Sequence, residues 1–230
     1  MMFWIDGPYG PAFLRNRAVD PNEKLSVWNL KNIRDDDTRS VVLALLSGII
    51  SHSIESGPTV VVMDEVWSIL KGDAGPDLVE SLYRTVRKEG SAIWSISQSM
   101  SDYAALPVGC RDAILNNSQF KVLLAHEAAN IETAAAICRL NEREASLLQS
   151  LRTVPGQYSE ILCMLSQRRQ VLRLVPTPIE YWIATSHKKD VDWEALALSA
   201  SPNRSRFDVL KGLARRYPNG ALHLVREEAA

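Results

Sequence analysis

The hydrophobic positions of the chain switch repeatedly between short β-branched runs and stripes at helical spacing. Leu25-Ser26-Val27-Trp28-Asn29-Leu30 reads as a strand. Asp35, Asp36 and Asp37 then offer N-cap candidates for a helix. Its apolar positions, Val41, Val42, Leu45, Leu46, Ile49, Ile50 and Ile54, fall on one wide stripe. Gly57-Pro58 breaks the chain, and the β-branched run Thr59-Val60-Val61-Val62-Met63 has the pattern of a central parallel strand buried on both faces. A helix over 77–88 turns Leu78, Val79, Leu82, Tyr83 and Val86 inward, and Gly90 ends it as a C′ glycine. A strand over 92–97, a short helix over 111–115 and a strand over 120–124 follow.

Alternation of strand and helix implies right-handed crossovers and a mostly parallel sheet flanked by helices. Helices over 128–138 and 142–151 come next, then a late pair of strands over 158–165 and 171–175 with Arg168-Arg169 in the turn between them. The end is helical over 179–184, 191–199 and 207–216, punctuated by Pro202-Asn203 and Pro218-Asn219-Gly220. This order places an α/β domain over 1–186 and a helical extension over 187–230.

Composition narrows the class. With 46% hydrophobic and 23% charged residues the chain is an ordinary globular protein. Lys and Arg number 26 against 27 Asp and Glu, for a net charge of −1. A protein that holds nucleic acid by bulk electrostatics carries a basic surplus, so direct nucleic-acid binding is not supported. Cys110, Cys138 and Cys163 fit no zinc spacing; they suit buried thiols in a reducing compartment. The opening Met1-Met2-Phe3-Trp4-Ile5-Asp6-Gly7-Pro8 shows neither the basic stretch nor the apolar core of a secretory signal. The apolar stretch over 41–50 is too short to cross a bilayer. Trp67 and Trp94 are expected in the core.

The candidate chemistry sits in Val60-Val61-Val62-Met63-Asp64-Glu65, a strand that ends in two carboxylates. Ligands of open parallel sheets bind at the carboxyl ends of the strands. Asp64 there can hold Mg²⁺ through its water shell, and Glu65 can orient and deprotonate an attacking water, as in the Walker B arrangement of nucleotide hydrolases. On the residues alone, the same pair could simply favour the start of the next helix. Arg84 and Arg87 share a helix face, and guanidinium groups offered across a subunit interface can stabilise a transferring phosphoryl group. A solvated helix face would look the same. Gln98, just past the next strand, has an amide able to bond a γ-phosphate or the water. His126-Glu127-Ala128-Ala129-Asn130 misses the H-E-x-x-H zinc motif at its last position, and Ser68-Ile69-Leu70-Lys71 matches S-x-x-K without its companion motifs.

Three segments in order, Val61-Val62-Met63-Asp64-Glu65-Val66-Trp67, Arg84-Thr85-Val86-Arg87-Lys88 and Ser95-Ile96-Ser97-Gln98-Ser99-Met100-Ser101-Asp102, resemble the C-terminal motor domain of the TraC and TrbE class of conjugation and type IV secretion ATPases. Ile114-Leu115-Asn116-Asn117, Val154-Pro155-Gly156-Gln157-Tyr158 and Pro178-Ile179-Glu180-Tyr181-Trp182 extend the resemblance over roughly residues 1–200. It implies a RecA-like P-loop NTPase core within the HerA–FtsK group of hexameric motors, using ATP and Mg²⁺. By the same resemblance Asp64 serves the metal, Glu65 the water and Gln98 the phosphate, with Arg84 or Arg87 acting in trans. The family works at the cytoplasmic face of the bacterial inner membrane with other type IV secretion components.

One departure stands out. The family's phosphate-binding loop, G-x-x-x-x-G-K-[ST], is missing, and the chain contains no Gly-Lys pair. The sequence therefore reads as a truncated polypeptide or remnant gene whose RecA-like core is incomplete at its N-terminus and inactive alone. Two other readings remain open: a non-catalytic module that docks on secretion components, and a DNA translocase of the same superfamily.

Overall fold

The computed structural model describes residues 24–221 apart from 32, 34, 70–73 and 167. The turn cluster at 7–11 and the last residues of the chain lie outside that range. The chain forms two compact units: residues up to 98 with 105–117, and residues 99–104 with 118 onward.

The first unit begins with helix α1 (Asp36–Ser56), capped by Asp35, whose side chain accepts from the Thr38 backbone N–H at 2.7 Å. The Thr38 hydroxyl, at 2.5 Å, and that N–H together hold the Asp35 carboxyl below its ordinary value. Strand β1 (Val60–Met63) follows, then the short helix α2 (Val66–Ile69), helix α3 (Ala74–Thr85), strand β2 (Ala92–Ser95) and, after an excursion through the other unit, helix α5 (Val108–Asn117). α3 packs against both α1 and α5. Leu43, Ile54, Leu78, Leu82 and Val86 form the core, with Leu30, Ile50, Val61, Ile69 and Ile93 against it. The inward set expected on the helix after β1, Leu78, Val79, Leu82, Tyr83 and Val86, is buried throughout.

Several expectations change here. Residues 25–30 form no strand: Leu25 is 78% and Val27 83% exposed, and only Leu30 reaches the core. Alternation makes a strand only where a neighbour takes its hydrogen bonds, and none among the described residues does. On α1, Leu43 is buried and Leu45 exposed. Two helical residues apart is about 200° of rotation, so the helix cannot bury both. β1 pairs in parallel with β2, from Val60↔Ala92 to Met63↔Ser95, but it is not buried on both faces. Val61, Met63 and Ile93 face the helices, whereas Val60, Val62 and Trp94 are open. Trp94 is thus not a core residue. The side chain of Trp67 lies outside the described set.

The second unit contains α4 (Met100–Ala104), β3 (Phe120–Leu123), α6 (Ala128–Cys138), α7 (Glu142–Ser150), β4 (Thr153–Val154), β5 (Tyr158–Leu165), β6 (Arg168–Leu174), α8 (Pro178–Ala184), α9 (Lys188–Ser199) and α10 (Arg206–Arg216). Its four strands are antiparallel: β5 pairs with β3 and β4 on one side and β6 on the other. The mostly parallel order expected of the sheet holds for β1 and β2, while β3 joins the antiparallel set. Arg168 and Arg169 belong to β6 rather than to the turn, since the register runs on to Leu165↔Arg168 and the reversal is made at Ser166, where φ is 52°.

Capping boxes start two of its helices, Asn141 with Glu144 and Thr177 with Glu180. Trp182 on α8 packs with Val209, Leu210 and Leu213 of α10 in one core, which spans the division at residue 186 expected from the sequence. Buried Asp190 ties that core together, accepting from Tyr181 Oη (2.6 Å), Thr185 Oγ1 (3.1 Å) and the Ala221 backbone N–H (2.7 Å). No described helix is long and apolar enough to cross a membrane.

Candidate functional site

Parallel pairing delivers both strand ends of the first unit to the same place. The ladder continues past the strands: Ile96 N–H donates to the Met63 carbonyl (2.9 Å), and Val66 N–H donates to that of Ile96 (3.0 Å). Between them the chain turns sharply through Asp64 and Glu65. Glu65 takes φ of 52°, a left-handed conformation that non-glycine residues rarely adopt. The turn is fixed at its exit by Val66, fully buried, and within by Asp64 Oδ1, which accepts from the Glu65 N–H at 3.0 Å.

This geometry lifts the Glu65 side chain toward the neighbouring strand end, where Gln98 Nε2 donates a hydrogen bond to Glu65 Oε1. Asp64 is exposed beside the pair and Glu65 half-exposed. The structure thus brings together Asp64, Glu65 and Gln98. A single exposed carboxylate suits Mg²⁺, which keeps most of its waters and takes one or two protein oxygens together with substrate phosphate. Among the described residues no group of three or more His, Cys, Asp or Glu is arranged to hold a metal ion.

Arg84 and Arg87 are not part of that constellation. α3 ends at Thr85, and the turn over 86–90 leads to the amino end of β2, where Ala92 N–H donates to the Thr59 carbonyl (2.9 Å). Four-residue strands separate the two ends by roughly 13 Å. The Arg84 guanidinium is held by Glu80 one helical turn earlier, through Nε at 3.0 Å and a second nitrogen at 2.8 Å. That spacing was readable in the sequence as an i,i+4 pair. Arg87 and Lys88 are exposed.

Three further residues, none of them among the expected site residues, shape this region. Tyr83 Oη and Ser95 Oγ share a 2.5 Å hydrogen bond that fixes α3 to β2. Asn117, at the end of α5, stands at a concavity with Arg84, Arg87 and Lys88. In the sequence Asn117 entered only through the resemblance of Ile114-Leu115-Asn116-Asn117, with no site role attached. The thiols take no part in the strand-end site: burial, with Glu80 and Asp77 nearby, pushes Cys110 up to about 11, and burial also raises Cys138. Both are poor nucleophiles in that state.

The mixed α/β architecture and its parallel strand pair place the chain in the P-loop NTPase class. The family model of the TraG P-loop domain matches residues 15–205, and the chain belongs to this family. The solved structure of VirB4 of Thermoanaerobacter pseudethanolicus is similar over 66% of the chain, with a TM-score of 0.51 and 25% sequence identity. The matched region spans 40% of that protein's length. No curated protein matches. Both comparisons agree with the resemblance to conjugative-transfer and type IV secretion ATPases drawn from the sequence.

Proposed function

We propose that the chain is the carboxyl-terminal part of an ATP-hydrolysing motor that energises type IV secretion and conjugative DNA transfer. The observation that carries this reading is the hydrogen bond between Gln98 and Glu65 at the shared carboxyl end of β1 and β2. An amide that donates to a carboxylate in the resting protein can pass that bond to a γ-phosphate oxygen when nucleotide arrives, freeing Glu65 to align a water. Asp64, on the exposed side of the turn, would hold Mg²⁺ through water; the ion supplies charge neutralisation to the phosphates when bound. Contacts that grip the β- and γ-phosphates must come from a loop other than these residues, because no Gly-Lys pair is present.

Arg84 and Arg87 lie at the far end of the sheet from Glu65, which suits a part played toward a neighbouring copy in a ring, as in a hexamer at the cytoplasmic face of the inner membrane. The test is Glu65→Gln in a polypeptide that joins this chain to a phosphate-binding loop. Hydrolysis should fall by about a hundredfold or more, with nucleotide affinity retained. Turnover at the parent rate would refute the assignment. A second reading, a non-catalytic module docking on secretion components, draws on the missing Gly-Lys pair. It predicts the same, vanishing turnover for parent and variant.

A further inference from the structure

Strand β6 leaves one edge bare. The Ser166 N–H donates to the Gln119 carbonyl (3.2 Å) and the Glu160 N–H to that of Arg152 (2.8 Å), so the even-numbered residues of β5 bond toward β3 and β4. The odd-numbered ones bond toward β6, where they face Arg168, Gln170, Leu172 and Leu174. Arg169, Val171 and Arg173 turn their backbone N–H and C=O groups the other way, and no hydrogen bond among the described residues reaches those groups. A row of such groups is a template for another strand. The outer edge of β3 is shorter, with only Phe120 and Val122 turned outward.

Side chains along the β6 edge sort by face. Leu172 and Leu174 are exposed on the open face of the sheet, and Arg169, Val171 and Arg173 lie on the other. Arg173 is held ready: one guanidinium nitrogen bonds Glu160 at 2.9 Å and the group stacks over the Tyr158 ring at 4.0 Å, while much of the side chain stays open. The strands of this sheet carry Lys121, Arg168, Arg169 and Arg173 against a single acid, Glu160, in a chain whose net charge is −1. Glu144 of α7 pairs with Arg169 at 3.4 Å, so even with it two carboxylates face four cations.

That basic bias decides between occupants. A second copy docked antiparallel about Val171 would set Arg169 opposite Arg173 of that copy, and like charges directly opposite destabilise a strand pair. A strand with acids at those positions turns both contacts into attractions, and its alternate apolar residues lie beside Leu172 and Leu174. We propose that the outer edge of β6 takes an extended segment of a partner protein, alternately acidic and apolar, added as an antiparallel strand with its acids facing Arg169 and Arg173. The surface lies within the second unit and uses no residue of the Glu65–Gln98 site, so it stands or falls apart from the proposed hydrolysis.

The experiment is fluorescence anisotropy of a labelled eight-residue peptide alternating Glu and Val, titrated with the 230-residue chain at low ionic strength. One saturable site per chain is expected, weaker as salt is raised. N-methylation of the Glu nitrogens, which the docked strand turns toward β6, should weaken binding by about tenfold or more, and so should replacing Glu by Lys. On the protein, Leu172→Glu should weaken it by about tenfold, while Leu196→Glu on α9 should leave it unchanged. Both leucines are exposed, so both variants should melt with the parent in a thermal scan. Absence of saturable binding, equal affinity for the methylated or the Lys peptide, or equal affinity in Leu172→Glu would overturn the proposal. So would a parent chain that sediments as a dimer and loses that state in Val171→Pro, since the edge would then belong to a second copy.

Discussion

The two sheets of this protein are built on opposite plans, and the contrast explains where its chemistry can sit. In the first unit, two four-residue strands run in parallel, so both carboxyl ends emerge together and Glu65 meets Gln98. In the second, β3, β4 and β6 run antiparallel to β5, so successive strand ends point opposite ways and no comparable pair of tips forms. The second unit has the more extensive pairing: β5 and β6 stay in register from Ser159↔Leu174 to Leu165↔Arg168. The first has the shorter ladder and the chemistry. Parallel pairing thus puts reactive groups side by side at modest cost in length, while antiparallel hairpins supply the extended ladder.

Both sheets nevertheless share one feature, an apolar face left open. Val60, Val62, Trp94 and Ile96 are exposed in the first unit, and Phe120, Val122, Leu165, Leu172 and Leu174 in the second. The opposite faces are packed: Met63 in the first, Leu123, Leu162 and Met164 in the second. The sharpest way to break the comparison is to truncate one side chain from each kind of face. Leu162→Ala, at a position with no exposure, should lose about 3 kcal/mol. Val62→Ala, 55% exposed, should lose less than about 1 kcal/mol. Urea unfolding measures both, and equal losses would mean that the open face is covered.

Glycines offer a second, smaller contrast. Gly156, at φ 74°, sits so close to the Asn219 carbonyl that an added Cβ would lie 2.3 Å from its oxygen. Gly90, at φ 67°, has nothing within 4 Å. Gly156→Ala should therefore cost roughly 2–3 kcal/mol from clash and strain together, and Gly90→Ala about 1 kcal/mol from backbone strain alone. Thermal melts of the two variants should rank in that order; the reverse ranking would show that the 155–157 turn and the 218–220 loop do not meet.

The smallest expected effect concerns the β5–β6 ladder. The Arg173 guanidinium, bonded to Glu160 at 2.9 Å, holds that carboxyl below its ordinary value, helped by the Arg152 backbone N–H at 3.0 Å. A depressed carboxyl contributes stability above its unfolded-state value and loses it as pH falls through the folded one. Glu160→Gln should thus be less stable than the parent near neutral pH, with the gap closing in acid. A gap that stays constant down the titration would show that the ion pair contributes nothing.

Much of this was readable in advance, for reasons tied to particular residues. The inward face of α3 followed from the spacing of Leu78, Val79, Leu82, Tyr83 and Val86, and Asp35 announced α1 by its cap. Asp64 and Glu65 were visible as a carboxylate pair ending a β-branched run. The length of α5, the place of Arg168 in a strand and the exposure of Trp94 were not visible, because each depends on which distant segment pairs or packs there.

The sequence alone determined the buried face of α3, the helix caps and the residue types at the strand ends, since these rest on spacing and on interactions within a few residues. Only the tertiary structure decided that Gln98 bonds Glu65, that the arginines lie at the opposite end of that sheet, and which face of each sheet is bare. Those outcomes depend on strand register, and register is set by contacts between segments tens of residues apart, which local pattern does not encode.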